Sequence, residues 1–67
     1  MDRGRVRLQL RLVRAVMSAA RPADRAAMRP RAVEILQMVA VQIESDPDPA
    51  LVQLLAEVRD EVQTGVD

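Results

Sequence analysis

The stretch GRVRLQLRLVRAV, residues 4–16, carries two periodicities, and each predicts a different fold. Between residues 5 and 12 polar and apolar side chains alternate strictly, which is typical of a β-strand with one polar face. The same stretch also fits a helix, because Arg7, Arg11 and Arg14 fall on one stripe at helical spacing. Leu and Arg favour helices, and no turn residue separates Leu12 from the helical pattern that continues to residue 20. We therefore predict a helix over about residues 5–20.

The strand interpretation leads to a different function. On that interpretation the polar face consists of Arg5, Arg7, Gln9 and Arg11. Such a basic strand resembles that of the ribbon-helix-helix family of dimeric repressors, in which paired N-terminal strands enter the DNA major groove. The resemblance implies that the four side chains contact base edges, since Arg can pair with guanine and Gln with adenine. The chain departs from the family pattern after this strand, because two prolines and a further predicted helix follow. A DNA-binding repressor is accordingly the alternative function.

Composition limits how the fold can be stabilised. The chain has 67 residues, of which 49% are apolar, and it contains no Cys, His or aromatic residue. Disulfides and zinc sites, the usual supports of small domains, are therefore excluded, and the core has to be aliphatic. Because a single core in so short a chain gives marginal stability, we expect self-association or a protein partner to complete it.

Proline and glycine positions delimit two further helices, over about residues 30–45 and 49–64. Pro30 either starts the middle helix or kinks a longer one that begins near Pro22. For the last helix, Asp48 is a suitable N-cap, Pro49 suits the first turn and Gly65 can end the helix. The predicted fold is a single all-α domain spanning the chain, either a small three-helix bundle or a helical hairpin with an extra helix.

Charge is distributed unevenly although the net charge is zero. Residues 1–31 carry nine Arg and two acidic residues, whereas residues 32–67 carry one Arg and eight acidic residues. In an up-down-up bundle the acidic end of each later helix lies beside the basic start of the preceding one, and such pairs help to set which helices lie antiparallel. The expected groups are Arg3, Arg5 and Arg7 with Glu44, Asp46 and Asp48, and Arg25, Arg29 and Arg31 with Glu57, Asp60 and Glu61. The charge-pairing residues that we predict most specifically are Arg7, Arg11, Arg14, Glu57, Asp60 and Glu61.

The predicted first helix has more apolar surface than one neighbour can cover. Its apolar residues form two strips, one made of Leu8, Leu12, Val16 and Ala19, the other of Val6, Leu10, Val13 and Met17. Met38 and Val41 add two apolar side chains to the otherwise polar side of the middle helix. We expect a partner chain to supply part of the cover. The predicted partner-binding residues are Val6, Leu8, Leu10, Leu12, Val13, Met17, Met38 and Val41.

Residue types that carry catalysis are scarce. No His, Cys, Lys or Tyr is present to act as a base or nucleophile, and no Gly-rich phosphate loop appears. We therefore expect no enzymatic activity, no cofactor and no metal. We expect instead a regulatory protein, such as an adaptor, chaperone or inhibitor, that binds a protein partner or forms a homodimer, with nucleic acid as a less favoured partner.

Apolar runs are far shorter than the roughly 20 residues that cross a bilayer. Arg11 and Arg14 also interrupt what would be the apolar centre of a signal peptide. We therefore expect a cytoplasmic protein without a membrane partner. Ten Arg and no Lys are typical of a GC-rich bacterial or phage genome.

Overall fold

A computed structural model describes residues 2–64, which form three α-helices and, within that range, no strand. The helices are α1 (Arg3–Ala19), α2 (Pro22–Ser45) and α3 (Pro49–Thr64). The all-α, three-helix prediction is confirmed. The predicted end of the last helix at Gly65 lies outside the described residues.

Residues 5–12 are helical, so the strand interpretation of this stretch is wrong. Asp2 caps α1, because its carboxylate accepts a hydrogen bond from the Arg5 backbone N–H at 3.2 Å. With the helix capped at one end and formed mostly of Leu, Arg, Ala, Gln and Met, which favour helices, the alternation of polar and apolar residues does not decide the structure. The ribbon-helix-helix resemblance therefore loses the strand on which it depended.

The middle helix begins at Pro22, eight residues before the predicted start near residue 30, so the longer of the two alternatives is the one observed. Pro22 suits the first turn, because the N–H that proline lacks has no intrahelical partner at that position. Pro30 lies inside the helix, where a missing hydrogen bond costs about 3 kcal/mol. The extension places Met28 against the core and two Arg side chains against α3, and these contacts offset that cost.

Asp48 caps α3 as predicted: its carboxylate accepts a hydrogen bond from the Ala50 backbone N–H at 2.9 Å. Pro49 occupies the first position of this helix. The two connections are therefore short, with residues 20–21 between α1 and α2 and residues 46–48 between α2 and α3.

Contacts between the helices establish an up-down-up bundle. Arg3, at the start of α1, pairs with Asp46 at the end of α2, so these two helices are antiparallel. The Ser18 hydroxyl, near the end of α1, donates to Glu61 near the end of α3 at 3.0 Å, so α1 and α3 run in the same direction. Helix α3 packs against both other helices more extensively than α1 and α2 pack against each other.

The core is entirely aliphatic, and no polar or charged side chain of the described residues is buried. It takes residues from all three helices at helical spacing. Its members are Val6, Leu10, Met17, Ala32, Leu36, Val39, Ile43, Leu51, Leu55, Val58 and Val62.

Candidate functional site

The two apolar strips of α1 have different environments. Val6, Leu10 and Met17 are buried in the core, so the prediction that these three bind a partner is corrected: the chain's own helices cover them. Leu8, Leu12 and Val16, from the other strip, are about half exposed. Val13, from the same strip as Leu10, is half-buried and packs against the edge of the core. One strip therefore remains uncovered.

An apolar groove runs between α1 and α2. Near the end of α1 it is a cavity of about 290 Å³ whose surface is almost wholly apolar. Its apolar walls are Leu12, Val13, Val16 and Met17 from α1 and Met28, Ala32 and Ile35 from α2. A second section of about 310 Å³ continues toward the start of α1, with Leu12 and Met38 on opposite sides. The groove stays open because α3 holds α1 and α2 together from the other side of the bundle.

The α2 side of the groove carries the two apolar residues that the sequence placed on a polar helix side. Met38 is 64% exposed and Val41 is 66% exposed, and together with Glu34 and Gln37 they form a shallow depression. We refer to the groove and its rims as the α1–α2 face. Its exposed and half-buried apolar members are Leu8, Leu12, Val13, Val16, Met28, Ile35, Met38 and Val41.

Three members of the α1–α2 face are absent from the predicted partner-binding residues. Val16 belongs to the strip that stays exposed, and its spacing from Leu12 would have identified it. Met28 precedes Pro30, in a segment that is helical only on the longer of the two alternatives for the middle helix, so its place on the face depended on which alternative held. Ile35 is half-buried and packs against the core from the edge of the groove, a position that depends on how closely α1 approaches α2.

Ion pairs form at the end of the bundle where α1 begins. The Arg3 guanidinium lies 3.1 Å from the Asp46 carboxylate and 3.7 Å from that of Asp48. This is the predicted match between the basic start of α1 and the acidic end of α2. Both Arg3 and Asp46 are about half exposed, so the pairs contribute to helix orientation more than to stability.

Charge pairing between α1 and α3 is limited to their C-terminal halves. Arg14 pairs with Glu57 at 3.6 Å, and Ser18 donates to Glu61. Arg7 and Arg11 form no ion pair within residues 2–64, contrary to the prediction. Both Arg residues lie beside the first half of α3, residues 49–56, and this half contains no acidic residue.

Two Arg residues at the start of α2 reach the end of α3, where acidic side chains were the expected partners. Arg25 donates to the Glu61 backbone carbonyl at 3.3 Å, and Arg29 donates to the Val62 backbone carbonyl at 3.2 Å. These carbonyls belong to the last turn of α3, which lacks intrahelical donors, and cations are favoured there by the helix dipole. Arg31 instead pairs with Glu34 of its own helix. Asp60 is exposed on α3.

Across residues 2–64 no three His, Cys, Asp or Glu side chains lie together as a metal ion would require. Within that range no helix combines the length and apolar character that a membrane span needs.

No protein-family model matches the chain, and no curated protein and no solved structure shows significant similarity to it.

Proposed function

We propose that the protein is a non-enzymatic protein–protein interaction module, of the adaptor, chaperone or inhibitor type, and that its α1–α2 face binds a helix of another polypeptide chain. The observation that carries the proposal is the exposure of Leu8, Leu12, Val16, Met38 and Val41 on one side of the bundle. Single exposed apolar residues are ordinary, but a contiguous group marks an interaction surface in a monomer.

The shape of the groove favours a helix as the bound element. Two antiparallel helices with a gap between them present ridges and a furrow into which the side chains of a third helix can pack. Amphipathic helices bind apolar grooves through side chains spaced three or four residues apart. The walls contributed by Leu12, Val16 and Met38 are aliphatic and, in the case of Met, adaptable in shape.

Composition supports a binding role over catalysis. The chain has none of the His, Cys, Lys or Tyr side chains that most often act as bases or nucleophiles. Within residues 2–64 no charged residue is buried as a whole, and Asp2 and Asp48 cap helices. Affinity for a partner would come from burying the apolar members of the face, and Arg5, beside the groove near the start of α1, can contact acidic residues of the partner.

Site-specific photo-crosslinking in the native host tests the proposal. A photoreactive amino acid is placed at Leu12 and, as a control, at Gln53, which is exposed on α3 opposite its buried side. Irradiation should give a crosslinked protein with the probe at position 12 and none with the probe at position 53, and mass spectrometry identifies the adduct. Equal crosslinking from both positions, or none from position 12, would refute the proposed surface.

A further inference from the structure

The exposed apolar residues of α1 and α2 lie at matching heights along the bundle. Leu12 and Met38 line opposite sides of the same section of the groove. Leu8 lies four residues before Leu12, about 6 Å toward the start of α1, and Val41 lies three residues after Met38, about 4.5 Å in the same direction because α2 runs the opposite way. The face therefore presents two apolar pairs, each with one member on each helix.

This arrangement is self-complementary under a two-fold rotation. If the axis runs parallel to the helices and within the interface, α1 of one copy lies over α2 of the other at unchanged height. Leu8 then meets Val41 of the second copy, and Leu12 meets Met38. The same two contacts recur on the other side of the axis, so four exposed apolar residues of each copy become covered.

Charge selects this arrangement over the other two-fold packing of the same face. An axis perpendicular to the helices would place α1 on α1, and α1 carries five Arg and no acidic residue, so the two copies would repel. Packing α1 on α2 avoids that repulsion. In α2 three acidic residues balance three Arg residues.

We propose that the occupant of the α1–α2 face is a second copy of this chain, packed with α1 of each copy on α2 of the other. This inference rests on the proposed function, because it names the partner for the same surface. It also supplies the additional apolar burial that a short aliphatic chain without disulfides or metal needs.

Cysteine crosslinking between copies tests the inference, since the chain has no native Cys. Chains carrying Leu8→Cys are mixed with chains carrying Val41→Cys in a thiol–disulfide buffer. Because the two Cys residues are on different chains, a disulfide between them reports contact between copies. The control mixture pairs Leu8→Cys with Val52→Cys, which is exposed on α3 outside the face. Circular dichroism of each variant checks that it is folded.

The inference predicts several-fold more disulfide-linked dimer, at about twice the 7.5 kDa chain mass, from the Leu8→Cys and Val41→Cys mixture than from the control. It also predicts that Leu8→Cys chains alone give no more than the control. Efficient crosslinking of Leu8→Cys alone would show α1 packed on α1, and a yield equal to the control would exclude a second copy on this face; either result overturns the inference.

If crosslinking fails while the photoreactive probe at Leu12 captures a different protein, the second-copy inference fails and the proposed function stands. If both experiments fail, both are refuted.

Discussion

Leu10 and Leu12 lie two residues apart on α1 in opposite environments: Leu10 is completely buried and Leu12 is 54% exposed. Two residues on a helix are separated by about 200° around its axis, so one side chain points into the bundle and the other away from it. Both are the same residue type, and the difference between them comes from what the rest of the chain covers.

Replacing Leu10 with Ala should destabilise the protein far more than replacing Leu12. Leu10→Ala leaves a cavity in the core and should lower the free energy of unfolding by about 2–5 kcal/mol, enough to unfold much of a marginally stable chain. Leu12→Ala should retain a helical circular dichroism spectrum, since it leaves no internal cavity. Chemical denaturation followed by circular dichroism measures both, and equal losses of stability would show that α1 is oriented differently.

The N-cap of α3 predicts a difference between two substitutions at one position. Asp48→Ala removes the acceptor for the Ala50 N–H and should lower the free energy of unfolding by about 1 kcal/mol. Asp48→Asn keeps an oxygen acceptor and loses only the charge that faces the half-exposed Arg3 guanidinium at 3.7 Å, an interaction that contributes less than about 1 kcal/mol. Asn should therefore restore most of the stability lost with Ala in urea denaturation. Asn and Ala variants of equal stability would contradict the capping role.

Arg29 should stabilise the end of α3 from a neighbouring helix. Arg29→Met keeps most of the aliphatic stem and removes the donor to the Val62 carbonyl, so we expect a loss of about 1–2 kcal/mol in the free energy of unfolding. The matched control is Arg21→Met, at an exposed residue just before α2, which should change stability by less than about 0.5 kcal/mol. If the two variants unfold at the same denaturant concentration, the contact contributes no stability.

Nucleic acid should bind weakly and without sequence preference. Residues 5–12 form no strand to enter a groove, and Arg3 and Arg14 are paired with acidic residues of the same chain. The remaining Arg side chains of α1 can contact phosphates, which gives an affinity that falls steeply as salt is raised. Fluorescence anisotropy with duplexes of different sequence should show equal weak binding, unchanged by Gln9→Ala. Tight, sequence-selective binding near physiological salt that Gln9→Ala abolishes would contradict the helical structure of this stretch.

Helical periodicity was sufficient to predict the helices and the two apolar strips of α1. It could not say which strip the chain would bury, because that depends on where α3 packs. Val6 and Leu10 were accordingly grouped with Leu8 and Leu12 as partner-binding residues, although α3 and α2 cover the first two.

The start of α2 and the partners of its first Arg residues could not be predicted, because they depend on contacts with α3. Pro30 is a strong local signal for a helix start, yet the contacts of Arg25 and Arg29 with α3 lie in the segment before it and favour a continuous helix. The acceptors for those two Arg side chains are backbone carbonyls, which no sequence pattern reveals. The distribution of charge along the sequence predicted acidic side chains as the partners of these two Arg residues.

Sedimentation of a matched pair of variants tests most directly the claim that the α1–α2 face is an interface between two copies of the chain. Val16, on that face, and Val52, on α3, are each 48% exposed, so substitution of either by Asp adds the same charge at the same exposure. At micromolar concentration, analytical ultracentrifugation should give about twice the 7.5 kDa chain mass for the wild type and for Val52→Asp, and the single-chain mass for Val16→Asp. A wild-type protein that sediments as one chain, or a Val16→Asp variant that remains a dimer, would contradict the account.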